Sequence, residues 1–215
     1  AITQPIQITV ADSLKNSCFY NYLADKPDLE ALTWDRLDDT TLITVTEDAS
    51  AYQLSNECAK KFNQSNSTAY PTLLLKIQVD SALTRAEIVA VRPVQFPLEA
   101  KVGNFPNDGI EGLAVDDHQN LYLALEQDIA NKPKLFKTRL TQDFWLRDNF
   151  VKVIDANLTL PVLDDNDHPI NGIEFLPSPI LGHPGYLVAV ARNDDELWVF
   201  DLTNRIPPFV QKLSF

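Results

Sequence analysis

The stretch Ile110-Glu111-Gly112-Leu113-Ala114-Val115-Asp116, followed after a short turn by Leu121-Tyr122-Leu123-Ala124-Leu125-Glu126, decides the fold of this 215-residue chain. Two apolar runs bounded by Asp, Gln and Asn predict two strands joined by a polar turn. Similar pairs of runs occur before and after it, at 29–47 and at 173–192. Such internal repetition predicts a repeat architecture, and it places an acidic residue early in each copy.

Each copy continues into two further apolar runs, so each unit is predicted to contain four antiparallel strands. The predicted strands are 29–34, 41–47, 72–79 and 86–94; then 110–115, 121–126, 134–140 and 150–154; then 172–176, 186–191, 196–202 and 208–213. Four-stranded antiparallel units in series are typical of β-propeller blades. The sequence therefore predicts one all-β propeller-type domain over 1–215, with blades at about 28–97, 108–156 and 171–215 and an N-terminal segment before them.

The first unit is longer than the others because of one predicted insertion. Its second and third strands are linked from Glu47 to Leu73, whereas the corresponding link in the second unit runs only from Glu126 to Leu135. The additional residues, about 49–71, are mostly polar and include Cys58. We expect them to form a surface excursion.

Three units are fewer than the four to eight blades of a closed propeller. Three explanations stay open: the N-terminal part supplies strands of another blade, the chain is part of a longer protein, or a second chain completes the ring as a homo-oligomer or another partner. A row of blades left open would expose an apolar face, which soluble proteins avoid.

Composition excludes two classes of partner. The net charge is −12 and the pI is about 4.6, so the surface repels phosphate backbones and nucleic-acid binding is not expected. No apolar run reaches the length of a membrane span. The acidic balance instead favours solubility or the attraction of cations.

Export is predicted from two features. The chain contains no methionine, which is consistent with removal of an N-terminal signal, so a secreted or periplasmic location is expected. Its two cysteines, Cys18 and Cys58, predict one disulfide in an exported protein, or two buried thiols in a cytosolic one.

The motif Glu-Gly-Leu-Ala-Val-Asp at 111–116, its turn, and the strand ending at Glu126 resemble the phytase-like (esterase-like) β-propeller family. The resemblance covers about half of the chain. It implies Ca²⁺ held by acidic residues near the propeller axis, and hydrolysis of phosphate or other esters in some members. Carried onto this sequence, those metal-binding roles fall on Glu30, Glu47, Glu111, Glu126 and Glu174. The chain departs from the pattern at Phe175, Pro177 and Arg192.

Residue chemistry alone also predicts that carboxylates converge at the propeller axis. The first strand of each blade lines the central channel of a propeller, so equivalent carboxylates converge there. Clustered carboxylates need a cation or hydrogen-bond donors, and Ca²⁺ accepts six to eight oxygen ligands. The alternative is that each glutamate accepts backbone hydrogen bonds from the next blade without a metal. Arg192, where other units have glutamate, either pairs with the carboxylates or binds an anionic substrate.

Two functions are compatible with these observations. The first is a non-catalytic extracytoplasmic propeller that serves binding or assembly, with Ca²⁺ or ion pairs in a structural role. The second is a calcium-dependent phytase-like esterase or phosphoesterase. The sequence has no G-x-S-x-G elbow and no H-E-x-x-H helix, so hydrolysis would have to be metal-assisted.

Overall fold

The computed structural model describes residues 6–47, 49, 51–67, 70–102, 109–162 and 168–213. Its strands are β1 (Gln7–Val10), β2 (Leu29–Trp34), β3 (Thr41–Thr46), β4 (Leu73–Val79), β5 (Arg85–Gln95), β6 (Ile110–Val115), β7 (Asn120–Leu125), β8 (Lys134–Arg139), β9 (Val151–Lys152), β10 (Ile154–Asp155), β11 (Ile170–Leu176), β12 (Tyr186–Ala191), β13 (Glu196–Asp201) and β14 (Phe209–Lys212). The helices are α1 (Tyr20–Ala24), α2 (Asn56–Lys61) and 3₁₀ turns at Asp12–Leu14, Leu98–Ala100, Phe144–Leu146 and Arg192–Asp194.

The strands form three sheets that follow one another along the chain. The first sheet has the order β1-β5-β4-β3-β2, the second β10-β8-β7-β6, and the third β11-β12-β13-β14. Strands that are consecutive within a sheet pair antiparallel, whereas β1 and β9 pair parallel with β5. The chain is therefore mostly β with antiparallel sheets, as the repeats predict.

The predicted strands agree with the observed ones to within about two residues, with one exception. The run predicted as one strand at 150–154 is divided: β9 joins the first sheet and β10 joins the second. The division ties the first two sheets together, because one short segment contributes to both. The ends of the predicted units at 108 and at 214–215 lie outside the described residues.

Polar turns close the hairpins where the sequence places aspartates. Asp116 ends β6, and its Oδ1 accepts hydrogen bonds from the backbone nitrogens of His118 and Asn120, both at 2.8 Å. Gln119 then takes a positive φ of 65°, which a tight turn between two strands requires. Asp35 has the same place after β2 and accepts from the Leu37 nitrogen at 3.0 Å.

The sheets stack face to face through two apolar cores. The core between the first and second sheets includes Ala31, Ile43, Leu113, Val115 and Phe136. The core between the second and third sheets includes Ala114, Tyr122, Ile173, Phe175 and Trp198. The first strands of the three units lie side by side, with β6 between β2 and β11.

A third core covers the outer strands of the first sheet on the side away from the second sheet. There α1, Phe62 and Tyr70 pack on side chains of β4 and β5 such as Leu75 and Ile88. The predicted insertion therefore packs partly on the protein instead of being only an excursion. Among the described residues, no helix is long and apolar enough to cross a membrane.

The disulfide predicted between Cys18 and Cys58 is present, with the two Cα atoms 5.7 Å apart. It joins the segment before α1 to α2, so the N-terminal segment and the insertion are linked covalently across 40 residues of chain. The alternative of two buried thiols does not apply.

The first strands of the three units, β2, β6 and β11, pack against one another with large side chains against small ones. A Cβ on Gly112 of β6 would lie only 2.8 Å from the Ile173 nitrogen of β11 and 2.9 Å from its Cγ1, so β11 approaches β6 closely. Ala31 of β2 occupies the corresponding small position toward Leu113 of β6, in the core between the first two sheets. Each first strand thus presents a small residue to the unit that follows and larger residues to the unit that precedes.

Candidate metal centre

One extra residue in each first strand brings polar side chains to a common end of the strands. The pairing shifts by one residue between Leu29 and Leu32 in β2, between Ile110 and Gly112 in β6, and between Ile170 and Ile173 in β11. A β-bulge of this kind redirects the side chain of the bulged segment. Glu30 and Glu111 follow directly after the first paired residues of β2 and β6, Leu29 and Ile110, and so lie within these bulges.

The second strands supply the opposing carboxylates. Glu47 and Glu126 follow β3 and β7, and their backbone nitrogens donate to Asp28 O at 3.1 Å and Gly109 O at 2.8 Å. These bonds extend each hairpin by one step and hold both glutamates beside the start of a first strand. Glu47 also crosses to the second sheet, since its Oε1 accepts from the Gly109 nitrogen at 2.9 Å.

Four of the five predicted glutamates meet here. Carboxylate oxygens of Asp28, Glu30 and Glu47 lie within 4.8 Å of one another, and so do those of Glu47, Glu111 and Glu126. Glu47 belongs to both groups and connects the first sheet with the second. We call these five residues the axial carboxylate cluster. Asp28 and Glu30 are exposed, whereas the other three are half-buried.

Sequence reasoning did not include Asp28. It lies just before β2 and outside the repeated motif, so the comparison of repeats gave no signal for it. Its place beside Glu47 becomes visible only from the backbone bond between these two residues.

Crowding raises the proton affinity of the cluster. The pKa of Glu111 rises to about 7, because burial penalises its charge and the charges of Glu30, Glu47 and Glu126 repel it. The pKa of Glu30 also rises to about 7, first through loss of water around its carboxyl group and then through the charge of Glu47. One side of Glu30 still faces solvent. At neutral pH the cluster holds protons, or it needs a cation to replace them.

Glu174 does not lie in either carboxylate group. Its Oε1 accepts from the nitrogen of Phe175 at 2.8 Å, and its partner across the sheet is Val188. By register, Ile170 pairs with Ala191 as Ile110 pairs with Leu125, so the residue equivalent to Glu111 is Asn171. The alignment of Glu174 with Glu30 and Glu111 is therefore shifted by three residues.

Asn171 contacts the cluster in place of a carboxylate. Its Nδ2 donates to Glu126 Oε1 at 3.1 Å, and its Oδ1 accepts from the Arg192 nitrogen at 3.3 Å. An amide is neutral, so it supplies a hydrogen bond to Glu126 without adding to the repulsion. The third unit thus borders the cluster instead of enlarging it.

Arg192 follows β12 as Glu47 follows β3 and Glu126 follows β7, which is the position predicted for it. It is exposed at the open side of the third sheet. Its role in binding an anionic substrate stays a prediction.

Arg36 connects all three units at the opposite end of the first strands. It lies in the turn after β2, and its Nε donates to Val115 O at 2.7 Å and its Nη1 to Asp117 Oδ1 at 2.6 Å. Its guanidinium carbon also lies 4.9 Å from the ring centre of Phe175 in the third sheet. The repeat pattern gave no indication of this contact, since the other units lack an arginine there.

Two of the three histidines, His168 and His183, have partners in the third sheet and its flanking loops. His168 Nδ1 lies 2.8 Å from Asp194 Oδ1, and His183 Nε2 lies 3.3 Å from Asp201 Oδ1. His183 also stacks on Tyr186 with ring centres 4.8 Å apart. Neither carboxylate group among the described residues includes a histidine, so the cluster offers oxygen ligands.

Comparison with known proteins gives limited results. Neither models of protein families nor curated protein sequences match this chain. Among solved structures, it resembles the periplasmic gluconolactonase PpgL of Pseudomonas aeruginosa, with 13% identity and a TM-score of 0.41 over 83% of this chain. The chain spans about two fifths of that protein, 41% of its length. The assignment to the phytase-like family stays a prediction.

Proposed function

We propose that this chain is a non-catalytic, extracytoplasmic β-propeller module whose axial carboxylate cluster binds Ca²⁺ and thereby stabilises the junction between its first two units. The observation that carries the proposal is that Glu47 belongs to two carboxylate groups contributed by two different sheets. A cation held by both groups connects those sheets more strongly than apolar packing does alone.

The propeller arrangement is supported by three features of the fold. The sheets follow one another in sequence, they pack face to face, and their first strands lie side by side at the centre of the stack. This is how blades are arranged around a propeller axis. The extracytoplasmic location is supported by the disulfide between Cys18 and Cys58, since structural disulfides are typical of oxidising compartments.

The donor set of the cluster suits calcium. Five carboxylates offer up to ten hard oxygen atoms, and Ca²⁺ takes six to eight oxygen ligands in flexible geometry. Mg²⁺ requires strict octahedral geometry and keeps several waters, so a broad and partly exposed set of side chains favours it less. A bound Ca²⁺ would supply positive charge, which offsets both the burial and the mutual repulsion that raise the pKa of Glu30 and Glu111.

Calcium titration by isothermal calorimetry at pH 8 tests the proposal, with Mg²⁺ as the competing ion. We expect saturable calcium binding that Glu47→Gln weakens at least tenfold, because this change removes a ligand from both groups. Glu99→Gln is the matched control, since Glu99 is an exposed glutamate of the turn at Leu98–Ala100. Binding that is absent, or equally strong in both variants, would refute the proposal.

A calcium-dependent phytase-like esterase or phosphoesterase is the second candidate. It is favoured by the pKa near 7 of Glu30 and Glu111, because carboxyl groups that titrate near the working pH are suited to general acid-base catalysis. Hydrolysis of p-nitrophenyl acetate and p-nitrophenyl phosphate, with Ca²⁺ or with chelator, tests it. Calcium-dependent turnover that Glu111→Gln abolishes would support catalysis, whereas rates equal to buffer would exclude it for these substrates.

A further inference from the structure

The stack of sheets has two open faces, one at each end. On the first sheet, Leu32 and Trp34 point away from the second sheet and are 58% and 48% exposed. Their equivalents in β6, Leu113 and Val115, are each only 2% exposed because β2 covers them. Leu32 and Trp34 are therefore the large side chains of a first strand that lacks a preceding unit within the described chain.

The third sheet shows the complementary face. In the interior junction, Ile173 packs on Gly112, where a Cβ would lie within 3.1 Å of atoms of Ile173 and Ala124. Gly172 is the equivalent of Gly112, and a Cβ there would meet no atom of the described residues within 4 Å. Val190 and Leu176, on the same face of the third sheet, are 40% and 51% exposed. This face has the small residue and the apolar border that a following first strand would cover.

The two faces also match in charge. In the interior junctions, the residue after a second strand meets the bulge residue of the following unit: carboxylate oxygens of Glu47 and Glu111 lie within 4.8 Å of each other, and Glu126 accepts a hydrogen bond from Asn171. The same residue of the third unit is Arg192. The bulge residue of the first unit is Glu30, with Asp28 beside it. An arginine thus stands at the end of the third unit's second strand, where a following first unit would present the carboxylates of Glu30 and Asp28.

We infer that a second copy of this chain docks on the open face of the third sheet, so that β11 of one copy packs against β2 of the other and Arg192 pairs with Glu30 and Asp28 across the junction. A two-fold arrangement forms this junction twice and closes a ring of six sheets, which lies within the range of known propellers. The N-terminal segment covers β4 and β5 on the docking face of the first sheet, so contact is made through its inner strands.

This inference rests on the propeller arrangement under the proposed function, and its ion pair uses Glu30 and Asp28, which that proposal also assigns to calcium. Solution mass should therefore be measured by sedimentation equilibrium both with Ca²⁺ and with chelator, over about 1–100 μM protein. We expect a mass of twice 24.2 kDa at the upper end of this range in both conditions. A monomer throughout, or an open series of larger polymers, would overturn the inference. Calcium binding by such a monomer would leave the proposed function intact.

Two sets of variants place the contact. Gly172→Leu fills space that the described residues leave empty but that Leu32 of the second copy needs, so we expect a folded monomer with unchanged circular dichroism. Leu181→Ser is the control, because Leu181 is fully exposed in the loop between β11 and β12. A Gly172→Leu protein that still dimerises like wild type would overturn the docking geometry.

The ion pair across the junction is tested by charge exchange. Arg192→Glu places like charges together, and we expect it to raise the dimer dissociation constant at least tenfold at low salt. Adding Glu30→Arg to the same chain reverses both members of the pair and should restore dimerisation. A double variant that associates no better than Arg192→Glu alone would contradict the proposed pairing.

Discussion

Replacing Gly112 by alanine tests whether the third sheet is packed as closely on the second as the structure shows. The new methyl carbon would lie 2.8 Å from the backbone nitrogen of Ile173, whereas ordinary contacts begin at 3.4 Å. The strands must therefore separate by about 0.6 Å or bend. Because the nearest atom belongs to the backbone of β11, no side-chain rotation relieves the contact.

The expected cost follows from overpacking. Inserting a methyl group into a close-packed core destabilises by about 1–3 kcal/mol. Alanine also restricts the unfolded chain, which stabilises by about 0.4–1 kcal/mol. We therefore expect Gly112→Ala to lower the free energy of unfolding by about 1–2 kcal/mol. For a domain of this size that lowers Tm by a few degrees, about 2–4 °C per kcal/mol.

The assay is urea unfolding followed by tryptophan fluorescence, with Gly172→Ala as the matched control. Gly172 has the same place in β11, but a Cβ there meets nothing within 4 Å. Ala31 fills the corresponding position of the first unit, so alanine is compatible with a junction. We expect the control to match wild type or exceed it slightly. If both variants were equally stable, the close approach of β11 to β6 would be incorrect.

Three other perturbations have definite expected outcomes. Arg36→Ala should cost about 1–2 kcal/mol in urea unfolding through lost hydrogen bonds and ring contact, and Arg36→Lys should not restore it; a change under about 0.5 kcal/mol would show that Arg36 does not join the units. Replacing Cys18 and Cys58 together by serine should destabilise by up to about 4 kcal/mol, since the bond closes a loop of 40 residues; an unchanged Tm would show that this loop does not limit unfolding. Without metal, Tm should fall as pH rises from 5 to 8, because the pKa of two glutamates rises from 4.5 to about 7 in the folded state and their ionisation there is unfavourable. Calcium should then raise Tm at pH 8 and hardly at pH 5; equal gains at both values would indicate binding elsewhere.

Much of the fold was predictable because the strands are short, apolar and bounded by turn residues. The alternation of side chains along β7 places Leu121, Leu123 and Leu125 in one core and Tyr122 and Ala124 in the other. This alternation depends on local sequence alone, so it can be predicted without knowing which strands lie beside β7. The parallel pairing of β1 and of β9 with β5 could not be predicted in this way, because it joins chain segments that are far apart in sequence.

The candidate site was predictable only in part, for a related reason. Glu30, Glu47, Glu111 and Glu126 were found because they recur in the same motif. In the third unit, a glutamate near the middle of the strand resembled the expected residue more than Asn171 did. Pairing register, which the sequence does not specify there, shows that Glu174 corresponds to Ala114 and faces the open side of the sheet.

The bulge in each first strand lets the residue at the cluster vary independently of the residues that pack the sheets together. Along a regular strand, every side chain is committed to one face or the other, so a change of ligand would also change a packing surface. The extra residue belongs to neither face. The cluster residue can therefore be glutamate in two units and asparagine in the third while the apolar stacking of the sheets continues. Ligand chemistry at this end of the strands can be re-engineered one unit at a time, without redesign of the cores beneath it.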